Sequence, residues 1–97
     1  MSITTVTRFH AAPGQQDILA ELLTEGRKRM QAAEGCQSFD LLRDEDDPSA
    51  FAFLQRWDSH QAHDTAFAER IAQTGHFAKV LTALDEPVVR HVYDVAS

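Results

Sequence analysis

The sequence predicts an α+β fold with one antiparallel sheet and both helices on a single face. Three observations lead there. Residue types and breakers divide the 97 residues into six segments in the order β-α-β-β-α-β. The two middle strands are joined by a connection so short that it implies an antiparallel hairpin. Both faces of the strands carry apolar residues, more than two helices can cover.

Each element has its own justification. Residues 2–10 (Ser-Ile-Thr-Thr-Val-Thr-Arg-Phe-His) are rich in β-branched and aromatic types and read as the first strand. Pro13-Gly14 ends it. Across residues 15–33, Ile18, Leu19, Leu22, Leu23, Met30 and Ala33 recur with a helical period, so this segment is an amphipathic helix. Gly26 sits inside it at a propensity cost, and Gly35 is placed as the left-handed residue past its end. Residues 36–44 form the second strand, with Phe39 and Leu41 on one face and Cys36 and Leu42 on the other. Asp44 to Ser49 is a turn by composition. Its acidity lacks the Gly and distal Glu of a calcium loop.

Ala50 to Trp57 is the third strand, short and aromatic. Asp58 or Ser59 suits the N-cap of a helix over 60–72. Thr74-Gly75 interrupts that helix, which resumes over 76–84 until Pro87 stops it. Val88 to Val95 is the fourth strand. The order is the split βαβ, ferredoxin-like arrangement, in one domain over residues 1–97.

Composition narrows function. With 9 basic residues against 15 acidic ones the formal charge is −6, the wrong sign for a nucleic-acid face or an anionic membrane surface. A lone Cys36 forms no intrachain disulfide. The start, Met1-Ser2-Ile3-Thr4-Thr5, lacks the pattern of a signal peptide, and no segment reaches the ~20 apolar residues of a membrane span. The expectation is a cytoplasmic protein. Its second sheet face needs a cover that the chain does not supply. Another copy, stacked sheet on sheet about a twofold axis, gives a homodimer.

The residues also carry a resemblance. Glu34-Gly35-Cys36, Phe39, Arg43-Asp44, Asp47-Pro48, Phe51, Gln55-Arg56-Trp57-Asp58-Ser59, Ala62 and His76-Phe77 fall in the order of a known pattern. They resemble the antibiotic biosynthesis monooxygenase family of the dimeric α+β barrel superfamily, over nearly the whole chain. The resemblance implies a dimer of stacked ferredoxin-like sheets. It also implies, as one class of activity, cofactor-independent oxidation of phenolic or quinol-like molecules by O₂, with no cofactor. Other members degrade haem, isomerise small metabolites or have no assigned activity. Departures are visible. Family oxygenases and haem degraders use a pocket Asn, and this chain contains none; Thr7 is the nearest match to the haem degraders' Asn. The second Trp of the haem degraders is missing, and Lys79 stands where their iron-ligating His is sought. The usual Glu two residues before the strand Trp is Gln55, and Ala66 replaces a common His.

Candidate chemistry follows. His76 is the expected base, because an imidazole titrates near neutrality and can take a phenolic proton. Tyr93 or Arg8 is expected to support the resulting anion. Thr7, Phe53, Trp57 and His91 are expected around the pocket, Trp57 as a stacking wall for a small aromatic ligand. His60 and His63, three apart on a helix with Asp64 beside them, form a weaker metal-ligand pair without a third ligand at fixed spacing. Cys36 has no neighbouring base and reads as a buried small residue. The alternatives to the oxygenase are a non-catalytic ligand-binding or stress-related dimeric domain and a small-metabolite isomerase.

Overall fold

Alternation along β1 (Ile3–His10) sets the layout. Ile3, Thr5, Thr7 and Phe9 are buried, whereas Thr4, Val6, Arg8 and His10 are half-buried or exposed. The computed structural model describes residues 2–96. In it β1 lies inside a four-stranded antiparallel sheet with β2 (Cys36–Arg43), β3 (Ala50–Trp57) and β4 (Val89–Tyr93), in the order β2-β3-β1-β4. The helices α1 (Gln16–Gln31), α2 (His60–Phe67) and α3 (His76–Thr82) complete the ferredoxin-like α+β arrangement. No helix among the described residues is long and apolar enough to cross a membrane.

Three expectations change. The helix expected over 60–72 is α-helical only to Phe67, then widens into a π-helical turn at Ala68–Ala72, where Gln73 N–H reaches the Ala68 carbonyl at 3.0 Å. The fourth strand ends at Tyr93 rather than Val95, because β1 has almost no residue left to pair beyond Thr4. Cys36 does not share a face with Leu42. A bulge between Cys36 and Ser38 shifts the register, so half-buried Cys36 lies opposite Trp57 and packs on the helix side.

The helix-side face is filled from two ends. Ile3, Met30, Phe39, Trp57 and Ile71 centre one apolar cluster, and Phe9, Leu19, Leu23, Phe51 and Val80 centre the other. Phe53 packs against both, with its ring edge-on to Phe39 at 4.7 Å and to Phe9 at 5.2 Å. Ser59 caps α2 by accepting from Ala62 N–H at 3.1 Å, and Gly75 (φ +80°) makes the break before α3. The opposite sheet face stays open. Leu42, Ala52, Arg8 and Val89 form one row across it, and Asp40, Leu54, Val6 and His91 the next. Leu42, Leu54, Val89 and Tyr93 remain 36–50% exposed there.

Two local devices hold connections in place. Gly35 has φ +90°, and a Cβ there would lie 2.6 Å from Ala62 Cβ. His10, at the end of β1, ties two loops together. Its Nδ1 donates to Asp85 at 2.7 Å with Glu86 at 3.4 Å, and its Nε2 donates to Asp47 at 3.0 Å. Carboxylates only accept, so the ring is an imidazolium. The Asp85 bond raises its pKa first and the Asp47 bond second, against a small effect of burial.

Two predictions follow from these devices. Gly35→Ala combines a left-handed backbone with a clash and is expected to destabilise by about 2–3 kcal/mol in denaturant unfolding. Gly14→Ala, at φ +79° with open space around it, is expected to lose only about 1 kcal/mol. The His10 contribution is complete below the unfolded His value near 6.5 and is lost as pH rises through its higher folded value. The melting temperature should therefore fall across that window, and His10→Ala should flatten the fall.

Candidate active site

A cavity of about 300 Å³ lies where the two apolar clusters meet, between helices and sheet. Its floor is the sheet. Thr7 of β1 stands at the centre with Phe53 of β3 and Arg90 of β4 directly opposite on either side. Gln55 lies one step along β3 from Phe53. The roof comes from α1 (Leu22, Leu23, Gly26, Met30) and from Phe67, Ile71, His76, Phe77 and Val80. Most of this lining is apolar, as in a pocket that removes a ligand from water.

Gly26 has a packing role. A Cβ there would sit 3.4 Å from His76 Nε2, so the missing side chain leaves room for the imidazole. His76 is buried, and its Nε2–H donates to the Leu22 carbonyl at 2.7 Å, tying α3 to α1.

His63 is the second buried imidazole, at 7% exposure. It lies edge-on to Trp57 at 5.5 Å and stacks on Phe67 at 6.1 Å. Its Nδ1 is 2.9 Å from Asp64 Oδ1 and 3.3 Å from Arg90 Nη2. Asp64 only accepts and Arg90 only donates, so the two compete for Nδ1; the shorter Asp64 contact favours the tautomer with the proton on Nδ1 and the lone pair on Nε2. Burial pushes the His63 pKa below its usual value, opposed by the Asp64 bond and aided by the Arg90 charge. The bond from His63 in turn holds Asp64 below the ordinary carboxylate range. At neutral pH the pair is a neutral imidazole on an ionised carboxylate.

Thr7, Phe53 and His76 therefore meet at one cavity. Trp57 does not line it. Its ring is fully buried behind Gln55 and His63, with its indole N–H donating to Gln55 Oε1 at 2.8 Å. Arg8, His91 and Tyr93 are on the opposite face. Strand alternation turns Arg8 away from Thr7, and pairing sets His91 beside Val6 and Tyr93 beside Thr4. Arg8 and Tyr93 of the same chain therefore do not reach the cavity, whereas Arg90 lines it. The His60–His63 metal pair is not formed, because His63 turns inward while His60 is exposed. Among the described residues, the metal-ligand-like group of three is His10, Asp85 and Glu86, whose ring nitrogens already bond to carboxylates.

Sequence reasoning weighed His63 and Asp64 only as metal ligands, did not name Arg90, and treated Gln55 only as a departure. A signal existed for His63. It shares a helical stripe with the apolar Ala66 and Phe67. Arg90 had none before the β1–β4 register was known.

Comparisons with known proteins agree with the fold. A Mycobacterium tuberculosis protein is 26% identical, with a TM-score of 0.86 and full coverage of both chains. A Pseudomonas aeruginosa protein is 25% identical over 98% of this chain and 95% of its own, at a TM-score of 0.84. A cofactor-independent oxygenase from Streptomyces nogalater, at 16% identity and covering 99% and 94%, shares the fold with a TM-score of 0.84. No curated protein matches the chain significantly. The family model described as antibiotic biosynthesis monooxygenase matches residues 2–77, and the chain belongs to that family.

Proposed function

We propose that this protein is a cofactor-independent monooxygenase that oxidises a small phenolic or quinol-like molecule with O₂. The observation that carries this reading is His63: a buried imidazole held neutral, its Nδ1–H fixed on Asp64, beside an apolar cavity of aromatic size. The structural likeness to the Streptomyces nogalater oxygenase supports it.

The chemistry needs little from the protein. His63 Nε2 takes the phenolic proton, and the electron-rich phenolate passes an electron to O₂. The radical pair combines at carbon to give a hydroperoxide. Loss of water leaves the quinone, so one oxygen atom enters the product and the other leaves as water. The Arg90 guanidinium supports the anion. Phe53, Phe67 and Phe77 exclude water from the reactive intermediates. His76 acts as a structural tie rather than the base in this scheme, since its Nε2–H is committed to Leu22.

The active unit is proposed to be a homodimer, stacked through the open sheet face with its exposed Leu42, Leu54, Val89 and Tyr93. Arg8, His91 and Tyr93 then belong to that interface. The free Cys36 thiol suits the reducing cytoplasm.

Two measurements test these proposals. Pure, metal-free protein should consume O₂ with a panel of hydroquinones and anthrone-like phenols. His63→Ala should lower that rate about 100-fold or more. His76→Ala should lower the melting temperature and spare most of the rate per folded molecule. The rate should fall with acid below the depressed His63 pKa, under about 6.5. Tight aromatic binding without O₂ uptake would favour the ligand-binding alternative. In light scattering at micromolar concentration the mass should be twice the 10.9 kDa of one chain, and Leu54→Arg should give monomers. A folded wild-type monomer refutes the dimer.

A further inference from the structure

The cavity wall contains a hydrogen-bond donor with nothing to bond. Gln55 is 4% exposed and lines the cavity. The Trp57 indole Nε1–H can only donate, so its 2.8 Å contact requires the amide oxygen of Gln55. That bond fixes which end of the amide faces which way. The oxygen is held by Trp57, and the two Nε2 protons are left over. Among the described residues none accepts them. Thr5, directly across from Gln55 on β1, does not: its buried Oγ1 has no hydrogen-bond partner of its own. Phe39, across on β2, offers only a ring. Among the described residues only Thr5 Oγ1 is both fully buried and unpartnered, so Gln55 Nε2 is accessible at the cavity wall and free to donate to a molecule that enters it.

We infer that Gln55 Nε2 is the donor for an acceptor oxygen on the ring of the cavity's ligand, a carbonyl or a phenolate, and that Trp57 is its positioning residue. The selectivity is one of hydrogen-bond sign. Aryl ketones, quinones and phenolates present an acceptor; the bare hydrocarbon of the same shape presents nothing. A rotating amide would offer oxygen or nitrogen indifferently, whereas the indole removes that choice. This inference deepens the oxygenase reading, on which it rests for the substrate alone. The phenolate formed by deprotonation and the quinone product both carry the oxygen that Nε2–H recognises.

The test is a binding experiment without O₂ chemistry. Isothermal titration compares α-tetralone with tetralin, the same bicyclic frame with and without a carbonyl. Wild type should bind α-tetralone about tenfold more tightly. Gln55→Met should erase that preference and leave tetralin unchanged. Trp57→Phe frees the amide and should give an intermediate preference. Gln55→Glu keeps an oxygen for the indole and donates to a ligand only while protonated. Its α-tetralone affinity should fall as pH rises through the new carboxyl's pKa, while wild type and tetralin stay flat. That variant serves if Gln55→Met fails to fold. Equal wild-type affinities, no binding of α-tetralone, or a preference surviving in Gln55→Met overturns the assignment. O₂ uptake without the carbonyl preference rejects Gln55 and leaves the oxygenase standing. The preference without O₂ uptake does the reverse.

Discussion

The helices lie against one face of the sheet, so alternate residues of every strand face different surroundings. On the helix side Ile3, Phe9, Phe39, Phe51 and Trp57 fill the space from two ends. Phe53 touches both clusters, and the space above it is the cavity. The floor of that cavity is one strand parity and nothing else. A register slip of one residue would exchange Thr7 for Arg8 and Arg90 for His91 in that floor. Burial of Ile3 and Phe9 on the same parity makes such a slip costly.

Within this frame a few hydrogen bonds remove ambiguity from groups that are ambiguous alone. The Leu22 carbonyl fixes the His76 tautomer, and Asp64, closer to His63 Nδ1 than Arg90 is, favours a proton on that nitrogen. The Trp57 indole fixes the Gln55 amide. For His76 and Gln55 the partner can only accept or only donate, so the other has no choice. Orientation set before a ligand arrives is orientation the ligand need not supply. The family match places the chain in the antibiotic biosynthesis monooxygenase family, and solved structures share its fold.

Much was legible along the chain. The element order, the Gly35 and Gly75 breaks and the Ser59 cap follow from local propensity, and the family pattern lies in motif residues. The π-helical turn was not legible, because Ala68–Ala72 has ordinary helical composition and one extra residue per turn leaves no mark in it. Nor was the bulge at Cys36, which reverses that residue's face without changing its neighbours in sequence. Trp57 shows a different failure. A large aromatic at a strand end fits a cavity wall or a core equally well, and only packing by His63 and Gln55 places it behind the wall.

Period and residue type were therefore enough to say that the strands have two apolar faces and that the helices follow a ferredoxin-like order, since those are properties of a segment. Which face meets the helices is a property of pairs of strands. Register between β1 and β4 brought Arg90 to Thr7 and sent His91 and Tyr93 to the open side. Helix packing turned His63 inward, where burial lowers its pKa. Contacts between residues distant in sequence made those decisions, and they turned a chain without Asn into one with a buried neutral imidazole and an oriented amide beside one cavity.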